Sequence, residues 1–407
     1  MEIKERFLNY VSFDTQSAEN SQTVPSTSKQ LKLGKYLVEE LQSLGIENAL
    51  LNEYGVVYGT IPSNNNHQGD VIGFIAHMDT SPDASGKDIH PQIIKDYQGQ
   101  KITLNEDKEL YLDPEQYPQL LQLIHHDLIT TDGTTLLGAD DKAGIAIIMQ
   151  MVEYIYNHPE FKHNDIQIAF TPDEEVGGGT DHFNVKKFGA QFAYTLDGDT
   201  EGEIQYENFN ACKADFEITG FAVHPGSSKD TMINACLVAA EINNMLPGLE
   251  IPRETEDYEG FYHLTGMSGD VAKAELHYIV RDHDKNLFEA RKETLRHIEK
   301  NLNEKWGEGT VKLMITDQYQ NMAEIIAGCM HLIENAKKAC ENAGVAPLVL
   351  PIRGGTDGCQ LSFMGLPCPN LGTGGHAFHG PYEHITAEGM DKAVDIAVEL
   401  VKLYAEM

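Results

Sequence analysis

Basic residues are scarce in this chain. Its 407 residues hold 30 lysines and arginines against 63 aspartates and glutamates, a formal net charge of −33. Such a balance repels nucleic acid and anionic membranes alike, which leaves small molecules, peptides and cations as partners. Most of these carboxylates are read as solvated surface. Cysteine is sparse too: the six (Cys212, Cys236, Cys329, Cys340, Cys359 and Cys368) are scattered with no C-x-x-C pair. Neither a disulfide scaffold nor a thiolate zinc site is expected, and free thiols in a reducing cytoplasm fit the pattern. Long apolar runs are missing. The longest, around AGIAIIMQMV, is about half a membrane span, and the charged start MEIKERFLNY is unlike a secretory leader, so a soluble cytoplasmic protein is expected. There is no repeat and no low-complexity tract, and the one linker-like stretch, IPSNNNHQGD, reads as a polar turn between strands.

The length predicts two domains. Residues 26 to 45 read as a helix, with caps offered by Ser26 to Ser28, apolar Leu33, Leu37, Leu41 and Leu44 at helical spacing, and Gly45 as its stop. VIGFIAHMDT, IQIAFTPDEE and QFAYTLDG each run from apolar or β-branched residues straight into polar ones, as buried strands ending at a site do. GIAIIMQMVEYIYNHP between the first two reads as an apolar helix, so strand and helix alternate as in an α/β layer. After residue 207 the order becomes strand, helix, strand, strand, helix, strand, which predicts a ferredoxin-like βαββαβ unit inserted into the larger domain. The expected fold class is therefore α/β: a split catalytic domain (1–207 and 321–407), with a mixed central sheet flanked by helices, and a small inserted domain (208–320).

The chemistry sits at strand ends, where ligands bind in such sheets. In AHMDTSPD, His77 and Asp79 are two apart on one strand face; His77 suits a metal ligand, with Asp79 holding its other ring nitrogen. GADDKAG places Asp140 and Asp141 before a helix, where one aspartate suffices as a cap and the second is free to bridge metals. Asp197 ends another strand. In TPDEEVGG, Glu174 and Glu175 are adjacent on a segment read as extended, so they point apart: Glu175 toward metal, Glu174 toward water as a general base. His376, His379 and His384 compete in one glycine-rich region, and spacing alone does not choose among them. If Asp140, Asp197 and Glu175 meet, each like-charge pair at about 4 Å costs roughly 1 to 4 kcal/mol. Two divalent cations offset that, and the histidines favour zinc.

HMDTSPD, LLGADDKAG, FTPDEEVGGG, YTLDGD, YENFNA, VHPG, YEGFYHL, RGGTDG, LSFMGLP and GGHAFHGPYE together resemble the peptidase T family, tripeptide aminopeptidases among the co-catalytic dinuclear zinc exopeptidases. The likeness covers essentially the whole chain. It implies two zinc ions per chain, one held by His77 and Asp197, the other by Glu175 and His379, with Asp140 as the bridge and a cis peptide between Asp140 and Asp141. It further implies Glu174 as the base acting on zinc-activated water, Asp79 as the residue orienting His77, and His224 in VHPG as a contributor to oxyanion stabilisation. Arg281 and Arg353 become candidates for gripping a peptide carboxylate, because guanidinium pairs bidentately with it. The insert is then expected to be a small domain that closes over, or pairs beside, the catalytic cleft, and a homodimer is compatible with the sequence. Related chemistries on the same scaffold are a dipeptidase or an N-acyl amino acid deacylase, and a relative without activity would act only as a peptide-binding protein.

Overall fold

The computed structural model describes residues 1–65 and 69–407; part of the linker-like IPSNNNHQGD, residues 66–68, lies outside them. The chain divides into two compact units.

The first unit comprises Met1–Tyr206, Glu324–Leu350 and Thr356–Met407. It is built on an eight-stranded mixed sheet with the order Leu50–Leu51, Val57–Ile61, Ile166–Thr171, Ile72–His77, Phe192–Gly198, Asn370–Gly372, Glu203–Gln205, Leu348–Val349. At its centre Ile72–His77 runs parallel to both Ile166–Thr171 and Phe192–Gly198, with His77 paired to Thr171. These strands are apolar on both faces because both are covered. The helix Ala139–Asn157 carries Ile145, Ile147, Ile148, Met149, Met151 and Val152 without solvent exposure, as a helix hydrophobic all round must be. Fully burying each such side chain stabilises the fold by about 1.5–3 kcal/mol. The amphipathic helix Ala387–Glu406 packs against it. A second, four-stranded sheet of short segments (Gly375–His376, His384–Thr386, Leu128–Thr130, Gln92–Ile94) has strands too brief to show alternation in sequence.

Two local readings change. The helix after Ser26 runs from Gln30 to Ser43 and is not capped by a serine; Lys29 holds the N-cap position without a side-chain bond. Ser26 instead donates its backbone N–H to Asp173 at 2.6 Å, a stronger, charge-assisted use. The glutamate pair lies on a 3-10 turn, Glu174–Val176, rather than on an extended segment.

The second unit comprises Glu207–Ala323 with Pro351–Gly355. Its antiparallel sheet has the order Phe261–Gly269, Lys273–Asp282, Asn210–Thr219, Val311–Tyr319. This is the ferredoxin-like arrangement of the βαββαβ order. Ala214, Phe216 and Ile218 point inward and Lys213 and Glu217 outward, so one face packs under the helices Ala235–Met245 and Lys285–Trp306. Arg353, on the short returning segment, belongs to this unit: its guanidinium lies over the rings of Phe209 and Phe261 at 5.1 and 5.8 Å.

Candidate metal centre

Three parallel strands deliver their last residues to one edge of the central sheet. His77 ends its strand 2% exposed, with Nε2 2.9 Å from Asp140 Oδ1 and 3.3 Å from Asp197 Oδ1. Its Nδ1 faces Asp79, 3.1 Å from the carbonyl and 3.3 Å from Oδ1. Asp79 is fully buried and contacts more than the ring. Its two carboxylate oxygens accept the backbone N–H groups of Glu174 and Glu175 at 3.0 and 3.2 Å, which ties the histidine to the glutamate turn.

The other side of Asp140 is met by His379, whose Nε2 lies 3.2 Å from Asp140 Oδ2 and 3.0 Å from Glu175 Oε2. Two triads result, His77–Asp140–Asp197 and Asp140–Glu175–His379, each with ligand atoms within 4.8 Å of one another. Asp140 belongs to both. Among the three competing histidines the geometry selects His379, while His376 and His384 are buried cross-strand partners.

Why Asp140 is available is visible in the backbone. Asp140 and Asp141 depart from helical geometry and are joined by a cis peptide. Asp141 caps the apolar helix: its Oδ1 accepts the Gly144 N–H at 3.0 Å and its Oδ2 the His77 N–H at 3.1 Å. Asp140 is left to face the cluster. Glu383, four residues after His379, accepts the N–H groups of Leu137, Gly138 and Asp140 at 2.6, 2.9 and 3.1 Å, so the turn that carries Asp140 is held by the same segment that carries His379. In the sequence Glu383 stands out only as context for His379. Two further acids carry no sequence signal of their own: Asp83, 3.3 Å from His379 Nδ1, and Asp357, a buried carboxylate beyond the glutamates.

The electrostatics show what the cluster demands. Burial pushes the Glu174 carboxyl well above its usual range, aided by the charge of Asp197. Burial and Asp140 push Glu175 up to about 7, and burial pushes Asp197 up to about 6. Burial works in the same direction on Asp140, but hydrogen bonds from His379 and His77 hold it below the usual carboxylate range. Those to Asp140 and Glu175 raise His379 to about 11. The carboxylates thus draw positive charge onto their neighbours. Glu175 Oε1 is buried and without a hydrogen-bond partner, an unmet demand that a cation satisfies. Nitrogen and carboxylate donors sharing one bridging aspartate suit a pair of zinc, manganese or cobalt ions.

The remaining predicted residues lie in the second unit. His224 is exposed, its Nδ1 accepting the Gly226 N–H at 3.1 Å. Arg281 is buried, its Nη1 donating to the carbonyls of Cys212 and Val280 at 3.2 and 3.0 Å. Arg353 Nη1 donates to the carbonyls of Asp257 and Glu259, and its Nη2 to the carbonyl and hydroxyl of Thr255.

Histidines and carboxylates gathered at the carboxyl ends of parallel strands, in two triads with a common aspartate, define the class as a metallopeptidase-type centre on a mixed α/β sheet. Residues 131–403 match Peptidase family M20/M25/M40, and the chain belongs to this peptidase family. Within it, the chain is 53% identical over 403 residues to peptidase T of Halothermothrix orenii, covering 99% of both chains. Among solved structures, aminopeptidase PepT from Bacillus cereus superposes with a TM-score of 0.78 at 23% identity, over 99% of this chain and 98% of that one. A tripeptidase from Staphylococcus aureus does so with 0.78 at 20%, over 100% and 98%. These two share the fold, an eight-stranded mixed sheet with a separate four-stranded antiparallel unit. Among the described residues, no helix is long and apolar enough to cross a membrane.

Proposed function

We propose that the chain is an aminopeptidase that releases the N-terminal residue from tripeptides, with two divalent cations, zinc by donor preference, at the paired triads. The observation that carries this reading is the convergence of five donors, far apart in the chain, on two sites that share Asp140. The names of its relatives, peptidase T at 53% identity and a tripeptidase of the same fold, supply the substrate class. His77 and Asp197 would hold one ion and Glu175 and His379 the other, with Asp140 between. Bound there, such a pair supplies Lewis acidity toward a carbonyl and lowers the pKa of water from 15.7 to about 7.

The chain's own residues do the rest. Among the described residues none hydrogen-bonds the Glu174 carboxylate, so it is free to take the proton of the attacking water and pass it to the departing amine. Asp79 sets the ring of His77 and the backbone that carries Glu174. His224 accepts the Gly226 N–H at Nδ1, which leaves Nε2 as the protonated nitrogen of a neutral ring, the form that donates to a developing oxyanion. Of the two arginines, Arg353 already spends both terminal nitrogens inside its unit, whereas Arg281 spends one. Arg281 is therefore the better partner for a peptide carboxylate. No contact with anionic lipid or nucleic acid is expected of a chain with net charge −33.

The test is cleavage of an unblocked tripeptide, its N-acetyl form and a dipeptide, each with chelator and with added zinc. Cleavage of the free tripeptide that chelator abolishes and zinc restores supports the reading. Preference for the blocked peptide would make the protein a deacylase, and chelator-resistant turnover would remove the metal centre.

A further inference from the structure

The turn that carries both glutamates is clamped from three directions. Asp79 takes the amides of Glu174 and Glu175. Asp173, in a left-handed conformation with φ 58°, is bound by the Ser26 N–H at 2.6 Å and the Gln30 Nε2 at 2.6 Å, and returns its own N–H to Gln30 Oε1 at 3.1 Å. The third clamp comes from Asp357 of the RGGTDG motif, which takes no part in the steps above. Asp357, 3% exposed, accepts the hydroxyl of Thr171 on Oδ2 at 2.7 Å. Thr171 is the last residue of its strand, three before Glu174. On the far side of the turn, Gly179 rests its Cα directly against the same carboxylate: a Cβ there would lie 2.2 Å from Asp357 Oδ1. One helical turn on, Gln360 Oε1 accepts the hydroxyl of Thr180 at 2.6 Å. Asp357 thus touches the segment 171–179 at both ends, and only glycine at 179 lets it do so.

We propose that Asp357 is a positioning residue for Glu174: by fixing Thr171 and Gly179 together it sets the span of the glutamate turn, and hence the place of the base relative to the reacting water. Without Asp357 the turn keeps its holds at Asp79 and Asp173 but loses the one that fixes its span, and a displacement of about 1 Å in a reacting group can cost about 100-fold in rate. Like-charge proximity to Glu174 agrees with this placement. The proposal rests on the reading of Glu174 as the base.

The experiment compares Asp357→Ala, Asp357→Asn and Thr171→Val in the full-length, zinc-loaded protein with a tripeptide substrate. Asp357→Ala is expected to lower kcat about 30- to 100-fold, with KM within threefold, two metal ions still bound, and faster amide exchange confined to residues 172–180. Asp357→Asn, which keeps an acceptor for the Thr171 hydroxyl, should restore kcat to within about fivefold of wild type. Thr171→Val should reproduce most of the loss, and adding it to Asp357→Ala should cost little more. Unchanged kcat in Asp357→Ala, metal lost from it, or Asn no better than Ala would each overturn the proposal. Inactivity of the wild type toward every tripeptide would strike the assigned activity instead, and exchange at 172–180 would still report on the clamp.

Discussion

Two clusters, one in each unit, handle buried charge in opposite ways. In the second unit, Arg291 and Lys292 are matched to anions. Arg291 donates its Nε to Asp282 at 2.7 Å and also pairs with Glu250; Lys292 bridges Glu289 and Asp317 at 2.9 and 3.0 Å. In the first, Asp140, Asp197, Glu174 and Glu175 crowd around two histidines, and Glu175 Oε1 lacks any partner. Paired charges hold a fold and ask for nothing more. An excess of one sign, held in place by backbone and neighbouring carboxylates, is what a cation site looks like before the cation is counted.

That contrast can be broken most sharply at Asp140. Asp140→Ala removes the one donor common to both triads; both ions should be lost from a dialysed sample and turnover should fall by at least about 10⁴-fold, since both polarisation of the carbonyl and activation of water go with them. Retention of two tightly bound ions would show that the triads do not depend on it. Glu174→Gln should separate catalysis from binding. Metal content stays at the wild-type value while kcat falls about 10²- to 10⁴-fold, the range for loss of a general base; loss of metal would reassign Glu174 as a ligand. In the second unit, Asp282→Ala leaves Arg291 with one partner fewer in a largely buried position. It should cost about 2–3 kcal/mol of stability in denaturant unfolding while metal content stays unchanged, and a metal deficit would mean the units' charges are not independent.

The smallest effect is a pH dependence. Glu175 and Asp197 have folded-state values near 7 and 6, above the usual carboxylate range of about 4. The folded, metal-free protein therefore holds extra protons between about pH 4 and 7, and the stability these contribute is lost as pH rises through that window. Cations replace those protons. The rise in thermal midpoint on adding zinc should thus be several degrees larger at pH 8 than at pH 5.5; an equal rise at both would place the ions elsewhere.

Much of this was legible in sequence because strands that run from apolar residues into His77, Thr171 and Asp197 announce both a buried sheet and the edge where its chemistry lies. The aspartate pair offered one acceptor more than a helix start needs; which of the two caps the helix, Asp141 through the Gly144 N–H, is visible only in the fold. The shape of the glutamate turn was not legible: its 3-10 geometry depends on Asp79 and Asp173, which bind it from distant points in the chain. Nor was the work of Asp357 or Glu383, whose partners are backbone amides, a threonine hydroxyl and the flat side of a glycine. Ser26 looked like a helix cap because local spacing is silent about an aspartate that tertiary structure brings to it. The choice among His376, His379 and His384 needed a family pattern for the same reason.

The most direct test of the paired triads is anomalous diffraction at the zinc edge from crystals of active, zinc-loaded protein. Two peaks about 3.5–4 Å apart, with Asp140 bridging them, are predicted. A single peak, or a pair to which Asp140 contributes no oxygen, would contradict the account.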